Sequence, residues 1–286
     1  MSLNKRYYDI EGAYGYNGIL ANTDDRDFLE QFGNQFTLFC RESNIIAEFT
    51  RFNPLLKNHL WSRYMTVEAA NKNIVVDLTA SLEHIWTDYY EHAARKNIKK
   101  AQRSGLSVKA FWGKEMDAHW LKEFIKIYYV TMDRNDSEDF YYFKEDYFNG
   151  ICQNLGEHSL FFFTMLEDKV LSCELVLLNS LSAYSFLGGT LSEYYPLRPN
   201  NILKHEIIRY LKTMNVKEYC MGGGSTLDDS LYRYKRTFAR QGEVEFYIGK
   251  KIYDQETYNT VCQIWADRFP EKAQSYQNYF LKYKRG

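Results

Sequence analysis

Residues 183–224 read AYSFLGGTLSEYYPLRPNNILKHEIIRYLKTMNVKEYCMGGG, and this stretch decides the fold. The apolar run at 183–187 is typical of a short buried strand. Gly188 and Gly189 follow it, where the lack of a side chain lets a backbone or a ligand approach closely. A second run, at 218–221, resumes as a strand. The stretch therefore predicts two strands of one sheet, joined by the segment between them.

That connecting segment predicts a helix. Apolar residues recur at helical spacing over 202–211, and Asn200 or Asn201 stands where a capping side chain belongs. Free amide hydrogens at such a helix start suit the phosphates or carboxylates of a ligand. Two interpretations follow: a ligand site beside the glycines, or one strand–helix–strand unit of an ordinary α/β domain.

Composition sets the broad class. The chain has 286 residues, 45% hydrophobic and 26% charged, which is enough for one large domain or two small ones and argues against disorder. A net charge of −1 excludes a uniformly basic nucleic-acid binder but allows a local basic patch. The 25 tyrosines suit a cleft for sugars, bases or peptides, although coding bias explains them equally well.

Cysteine usage and hydropathy indicate the compartment. The five cysteines are widely spaced without a C-x-x-C pair, so the sequence predicts neither a disulfide framework nor a metal site. The longest apolar run, 160–166, is too short to cross a bilayer, and no signal-peptide pattern is found at the start. We therefore expect a cytoplasmic protein that meets any membrane-linked substrate at the inner surface.

The remaining periodicities predict a mixed order of strands and helices. A helix at 25–41 carries an aromatic stripe that we interpret as core, and a turn at 167–169 joins two strands into an antiparallel hairpin. The predicted strands are 6–10, 45–52, 74–78, 159–166, 170–178, 243–248 and 251–253, and the further helices are 81–104, 120–131, 254–269 and a last one reaching 284. The stripe comprises Phe28, Leu29, Phe32, Phe36 and Phe39.

The predicted helix at 81–104 has a basic face. Its cations fall on an arc of roughly 140°, opposite a small apolar face. This face is either simply solvated or binds a polyanion such as a diphosphate or a tRNA backbone. The cations are Arg95, Lys96, Lys99, Lys100 and Arg103, and the apolar residues are Ala94, Ile98 and Ala101.

The order of hairpin, glycine-ended strand, helix and strand resembles the GNAT acyltransferase fold. Within it, the sequence is similar to the FemAB branch, the aminoacyl-tRNA-dependent ligases that build peptidoglycan cross-bridges. The resemblance covers most of 74–250 and implies an α/β fold, with a mixed, mostly antiparallel sheet flanked by helices. The stretches that carry it are 95–108 (RKNIKKAQRSGLSV), 131–135 (TMDRN) with 141–143, 188–211 ahead of MGGG, and 231–239 (LYRYKRTFA).

The resemblance also implies a domain organisation. Residues 1–73 with 252–286 would form a shortened first GNAT-like half, and 74–251 a complete acyltransferase domain. Enzymes of the branch that use lipid-linked precursors carry an acidic residue where Asn53 stands, which puts a peptidoglycan acceptor in doubt. The coiled-coil arm of some tRNA users has no counterpart here.

Catalytic roles follow from the family's chemistry. An amine attacks an ester or thioester directly, so the site needs charge at the oxyanion and a route for a proton. The resemblance implies that Lys235 supplies this charge and that Tyr234 packs against the donor, and we expect Tyr184 to relay the proton. Lys235 would otherwise form a structural ion pair with Asp228 or Asp229.

Binding roles are assigned in the same way. For substrate contacts we expect Arg51, Arg134, Tyr142, Gly188, Gly189, Arg198 and Asn200. For donor phosphates or tRNA we expect Arg95, Lys96, Lys99 and Arg103.

The donor is expected to be a co-substrate, not a permanently bound cofactor. Enzymes that use acyl-CoA show R/Q-x-x-G-x-G/A at the helix start, whereas 198–203 (RPNNIL) has no glycine, and the basic helix suits an aminoacyl-tRNA. The acceptor would be an amino group of a small-molecule or lipid-linked glycan precursor. The alternatives are an acetyl-CoA-dependent N-acetyltransferase of an amino sugar or other small amine, and a non-catalytic module that binds a glycan or nucleotide-sugar.

Overall fold

The computed structural model describes residues 5–224, 226 and 228–285. The chain divides into two compact units, Met1–Asn71 with Glu245–Gly286 and Lys72–Val244. These boundaries lie within seven residues of those expected at 73/74 and 251/252. The interpretation of the units as a shortened and a complete acyltransferase half stays a prediction.

Nine strands and nine helices are found in the described part of the chain. The strands are β1 (Tyr8–Glu11), β2 (Ile45–Arg51), β3 (Thr66–Asp77), β4 (Ser107–Trp112), β5 (Ser159–Leu166), β6 (Lys169–Leu178), β7 (Ser182–Thr190), β8 (Glu218–Gly222) and β9 (Glu243–Ile252). The helices are α1 (Arg26–Glu42), α2 (Leu82–His84), α3 (His92–Arg103), α4 (Ala118–Arg134), α5 (Glu145–Asn154), α6 (Pro199–Thr213), α7 (Ser230–Arg236), α8 (Gln255–Arg268) and α9 (Pro270–Ser275). None of the helices described is long and apolar enough to cross a membrane.

In the first unit, β1 pairs in parallel with β2, and β2 pairs antiparallel with β9. The aromatic stripe predicted as core on α1 is wrong in part, because Phe28, Phe32 and Phe39 are 54%, 37% and 56% exposed. The helix turns a different face inward because Gly33 admits Tyr64, whose Cβ lies 2.6 Å from where a Cβ on Gly33 would stand. The buried residues of α1 are Leu29, Gly33 and Cys40.

In the second unit, strands lie in the order β3-β8-β7-β6-β5-β4. The pair β7–β8 is parallel and the other neighbours are antiparallel. Helices α3 and α6 pack over one face, while α4 packs against β6 and β7. The predicted mixed, mostly antiparallel sheet with flanking helices is confirmed, as is the hairpin β5–β6 that β7 extends.

The predicted strand–helix–strand unit is also confirmed, as β7, α6 and β8, but its cap is different. Arg198 precedes α6 in the left-handed region, with φ 65° and ψ 44°, and no side chain caps the helix. Pro199 occupies the first helical turn, where its fixed φ is favourable. Asn200 does not cap because its Oδ1 accepts a hydrogen bond from Thr190 Oγ at 2.5 Å.

The predicted long helix at 81–104 is wrong, because the chain is extended at Tyr90 and Glu91, with ψ 132° and 156°. Helix α2 and one π-helical turn precede this break, and α3 follows it. Arg95 stabilises the break, since its Nη1 donates to the main-chain oxygens of Trp86, Thr87 and Tyr90 at 3.1, 3.0 and 2.5 Å. A continuous helix would use these carbonyls itself.

Two smaller differences from the predicted elements remain. Helix α5 is not among the helices predicted from the sequence, and the two late strands expected at 243–248 and 251–253 are the single strand β9. Gly105 follows α3 with φ 77°, a left-handed conformation that favours glycine at the end of a helix.

Candidate functional site

The pairing of the parallel strands β7 and β8 ends before the strands do. It consists of three register pairs, the last of which joins Tyr184 to Cys220. From there β7 continues to Thr190 and β8 to Gly222. In sheets of this kind, ligands bind beyond the carboxyl ends of neighbouring parallel strands. The candidate site is therefore this opening and the side chains around it.

A β-bulge in β7 lies beside the opening. Leu175 is opposite Leu187 and Val176 is opposite Ser185, so Phe186 is an extra residue in β7. A bulge reverses the alternation of side chains and bends the strand. As a result Gly188 lies opposite Glu174 on the face of the sheet that carries α6.

A buried ion pair lies on that face. Lys204 of α6 and Glu174 of β6 approach to 2.5 Å between Nζ and Oε2, and their side chains are only 8% and 7% exposed. Lys204 Nζ is also 3.0 Å from Ser185 Oγ and 3.2 Å from Tyr219 Oη. Tyr219 in turn donates to Glu174 Oε1 at 2.5 Å. Four elements thus meet in one hydrogen-bonded network, which we call the Glu174–Lys204 cluster.

The sequence analysis missed this cluster, although a signal was present. Glu174 interrupts the apolar strand 170–178, and Lys204 stands between apolar residues of the face that α6 buries. Charged residues at core positions are rarely buried unless they are paired. Their presence on two neighbouring elements predicts an internal ion pair.

Lys235 lies on α7, close to the end of β8. Its Nζ donates to the carbonyl oxygen of Gly223 at 2.6 Å. Burial and the nearby cation of Lys204 lower the pKa of Lys235 to about 8. The ion pair considered with Asp229 is not the contact found, because that carboxylate accepts from the amide of Tyr232 and caps α7.

Tyr234 precedes it and points inward. Its ring meets Phe238 edge-on, with 5.5 Å between centroids. Its hydroxyl is buried and has no hydrogen-bond partner among the described residues. Burial, with Glu174 and Tyr90 nearby, raises the pKa of Tyr234 well above its ordinary value, so the group is a neutral O–H donor. Packing against a donor stays a prediction.

Tyr184 lies in the last paired position of β7. Ser185 points toward Lys204, and because side chains alternate along a strand, Tyr184 points to the other face of the sheet. The structure does not bring it to the Glu174–Lys204 cluster, and its proton relay stays a prediction.

The two glycines lie within β7, which runs to Thr190, so the predicted end of this strand at 187 is wrong. A Cβ on Gly188 would be 2.6 Å from the carbonyl oxygen of Cys173 on the neighbouring strand. A Cβ on Gly189 would be 2.6 Å from that of Ile127 on α4. The close approach predicted at both positions is thus made by the protein's own backbone.

Other predicted substrate contacts gather where β7 ends. Arg134 Nη1 donates to the carbonyl oxygen of Thr190 at 2.7 Å, and its guanidinium carbon lies 5.4 Å from the ring centre of Tyr195. Asn200 Oδ1 accepts a hydrogen bond from the Thr190 hydroxyl, and the exposed Arg198 occupies the position before α6. The structure therefore brings Arg134, Arg198 and Asn200 to one end of β7.

Two predicted contacts lie elsewhere. Tyr142 donates to Asp133 Oδ1 at 2.8 Å, and this hydrogen bond to a carboxylate raises the pKa of Tyr142. Arg51 belongs to the first unit, where its Nη2 lies 3.4 Å from Glu11 Oε1 and its guanidinium 5.2 Å from the Phe49 ring centre. Their roles as substrate contacts stay predictions.

The basic face of α3 forms an open groove of about 560 Å³. Its opposite face is buried as predicted, since Ala94, Ile98 and Ala101 are at most 1% exposed. Lys99 lies 5.9 Å from the ring centre of Trp86. The structure thus brings the four predicted phosphate contacts together, and the groove is lined by His92, Arg95, Lys96, Lys99, Gln102 and Arg103.

Comparison with solved structures finds three proteins of similar fold. FemX is 12% identical over 91% of this chain and 84% of its own, with a TM-score of 0.65. The C-terminal domain of a putative lysylphosphatidylglycerol synthetase from Agrobacterium fabrum is 15% identical over 79% and 74%, with a TM-score of 0.59. L-PGS from Bacillus licheniformis is 11% identical over 78% and 74%, with a TM-score of 0.56.

At these identities the likeness is one of fold, and it confirms the predicted resemblance to the FemAB branch at that level. A comparison with curated proteins found no match. A model of the acetyltransferase (GNAT) domain matches residues 92–236, which is just over half of the chain and includes α3, the opening and α7. The chain belongs to the GNAT acetyltransferase family.

Proposed function

We propose that this protein is an N-acyltransferase that joins an activated acyl or aminoacyl group to an amine in the opening between β7 and β8. The observation that carries this proposal is the end of strand pairing at Tyr184 and Cys220, with the half-buried Lys235 beside the end of β8. Family membership supports acyl transfer. In this proposal the reacting carbonyl group lies between the two strands, beyond their last register pair.

The proposed reaction is a direct displacement. The nitrogen of the acceptor forms a bond to the carbonyl carbon, and the bond from that carbon to the leaving oxygen or sulfur breaks. The negative charge that develops on the carbonyl oxygen is stabilised by the ammonium of Lys235, because a buried charge acts more strongly than a solvated one. The proton lost by the nitrogen is taken up by the leaving group.

For the donor we favour an aminoacyl-tRNA over acyl-CoA. The groove on α3 presents Lys96, Lys99 and Arg103, which suit a phosphate backbone, whereas residues 198–203 lack glycine. The solved relatives include FemX and a protein named for lysylphosphatidylglycerol synthesis. These names support an acceptor amine on a small-molecule or lipid-linked precursor of the cell envelope. The five free cysteines support a cytoplasmic reaction.

The test is a transfer assay that offers both donors. The purified protein is incubated with charged tRNA or with acetyl-CoA, each with a panel of amino sugars and amine-bearing precursors, and products are identified by mass spectrometry. We expect a new amide with charged tRNA and none with acetyl-CoA. A product with acetyl-CoA alone would assign a small-amine N-acetyltransferase instead.

Binding measurements test the remaining alternative. Calorimetric titration with CoA and then with a nucleotide-sugar, followed by tRNA gel shifts at two salt concentrations, ranks the ligands. A steep salt dependence for tRNA would support the proposed donor. Binding of the nucleotide-sugar with no transfer from either donor would instead indicate a non-catalytic module.

A further inference from the structure

Burying the two charges of the Glu174–Lys204 cluster costs free energy, and hydrogen bonding alone does not require charged groups at these positions. Two charges lie in the interior, each less than one tenth exposed. Removing two ions from water costs several kcal/mol per ion, and well-packed apolar residues often replace such a pair without loss of stability. Buried ionisable groups beside an opening are more typical of functional sites than of plain cores.

The geometry of the cluster connects it to the candidate site. Lys204 reaches across from α6 to the strands that border the opening, because its Nζ contacts Ser185 of β7 and Tyr219 of β8. Glu174 lies opposite Gly188, which follows the bulge residue Phe186 by two positions and carries no side chain. The pair is thus fixed to both strands that separate, and it cannot shift without disturbing them.

We propose that Glu174 and Lys204 are positioning residues for Lys235, and that their two fixed charges decide how firmly its ammonium is held at the end of β8. This inference rests on the proposed function of Lys235. Neither residue of the pair needs to touch the substrate, because their effect is exerted through the electric field at Lys235.

Charged and titratable groups face Lys235 from each neighbouring element. Lys204 of α6 and burial disfavour its charged form. Glu174 of β6, Cys220 of β8 and Asp229 at the start of α7 favour it. Because the two members of the pair act in opposite directions, removing each one alone must shift the titration of Lys235 in opposite directions.

The experiment follows the ¹⁵Nζ resonance of Lys235 across a pH series in protein labelled at lysine, with the resonance assigned by its loss in Lys235→Met. We expect a midpoint near pH 8 in the parent protein. Lys204→Met should raise the midpoint by about one pH unit, because a repelling charge is removed. Glu174→Gln should lower it by a comparable amount, because an attracting charge is removed.

A matched control uses an ion pair of the same unit that lies at the surface. Lys114 and Glu157 approach to 3.0 Å with 53% and 74% exposed side chains, and Glu157→Gln should leave the midpoint unchanged. Unchanged midpoints in Lys204→Met and Glu174→Gln, or shifts in the same direction, would overturn the inference. If Glu174→Gln does not fold, Lys204→Met still tests the inference by itself, because in that variant Glu174 keeps the hydroxyl of Tyr219 as a hydrogen-bond partner. A double variant, Glu174→Leu with Lys204→Met, removes both charges.

Comparison of the variants separates positioning from simple structure. A purely structural pair predicts that every variant that folds keeps the parent's Lys235 midpoint and pH profile of turnover. A positioning pair predicts displaced midpoints and pH profiles in the single variants and a midpoint near the parent's in the double variant, because the two removed charges act in opposite directions. The NMR titration needs no substrate, so a failure there leaves the acyl-transfer proposal standing, and a protein without transferase activity can still show the coupling.

Discussion

Both units bury a glutamate on a strand, but the partners of the two carboxylates differ. In the first unit Glu48 of β2 is 6% exposed and accepts hydrogen bonds from the hydroxyls of Tyr64, at 3.0 Å, and Tyr253. The Thr50 hydroxyl lies 3.4 Å from it. In the described part of that unit, no lysine or arginine forms an ion pair with Glu48.

In the second unit Glu174 of β6 is 5% exposed and has both a hydroxyl partner, Tyr219, and a cation, Lys204. The first unit shows that this chain can satisfy a buried carboxylate with hydroxyl groups alone. The lysine in the second unit therefore adds charge that hydrogen bonding does not require. That extra charge contacts both strands that border the opening and lowers the pKa of Lys235 together with burial, and the first unit shows no counterpart of it at Glu48.

The largest effect should appear when each glutamate loses its charge. Glu174→Gln leaves the buried cation of Lys204 without a counter-charge, so we expect the free energy of unfolding to fall by about 3–5 kcal/mol. Glu48→Gln leaves hydroxyl donors with an amide acceptor and should cost about 1–2 kcal/mol. Urea denaturation of both variants measures the difference. Equal losses would remove the distinction between the two glutamates.

The next effect concerns turnover. Lys235→Met removes the charge at the oxyanion, so we expect the rate constant of transfer to fall at least 100-fold, about 2.7 kcal/mol in activation free energy. The matched control is Lys114→Met, a surface residue of the same unit, which should keep the parent's rate. A Lys235→Met protein within about threefold of the parent would exclude the proposed role.

The pH dependence of turnover should be a smaller effect than the loss of Lys235, and it should arise from the second unit. The ammonium of Lys235 is the active form, and its pKa is lowered to about 8 by burial and by Lys204. Turnover should therefore decline as the pH rises through about 8, approaching tenfold per pH unit above it. Lys235→Arg stays charged and should lose this decline. A parent enzyme whose rate keeps rising to pH 10 would contradict this.

The smallest effect compares one buried hydroxyl from each unit. Tyr234 and Tyr283 both bury a hydroxyl that has no hydrogen-bond partner among the described residues. Changing either to phenylalanine removes an unsatisfied polar atom, so we expect the free energy of unfolding to stay level or rise by about 1 kcal/mol. Only Tyr234→Phe should slow transfer, by about tenfold. Thermal unfolding and the transfer assay, run together, test both statements.

The local sequence pattern was sufficient to predict much of the secondary structure of the second unit. The β5–β6 hairpin follows from two apolar runs around a three-residue turn, and the buried face of α3 follows from Ala94, Ile98 and Ala101 at helical spacing. Local pattern failed on α1, where the position of Gly33 against Tyr64 turns the helix so that three phenylalanines stay exposed. It also failed at Tyr90, because the break depends on where the Arg95 guanidinium reaches.

The candidate site was predicted only in part for the same reason. The aromatic–lysine pair at 234 and 235 came from a resemblance to a family, which names residues without giving their surroundings. The bulge at Phe186 and the partners of Glu174 depend on the register between strands that are distant in sequence. Register is decided when side chains pack across the sheet, so no window of the sequence contains it.

The sequence by itself determined the order of strands and helices from β5 to β8 and the basic face of α3, because periodicity and turn residues act within a few positions of one another. Only the tertiary structure decided where the pairing of β7 and β8 stops and which charges are buried beside it. The physical reason is that the energy of a buried charge depends on neighbours from other elements, and here β6, β7, β8 and α6 each contribute one residue to the same network.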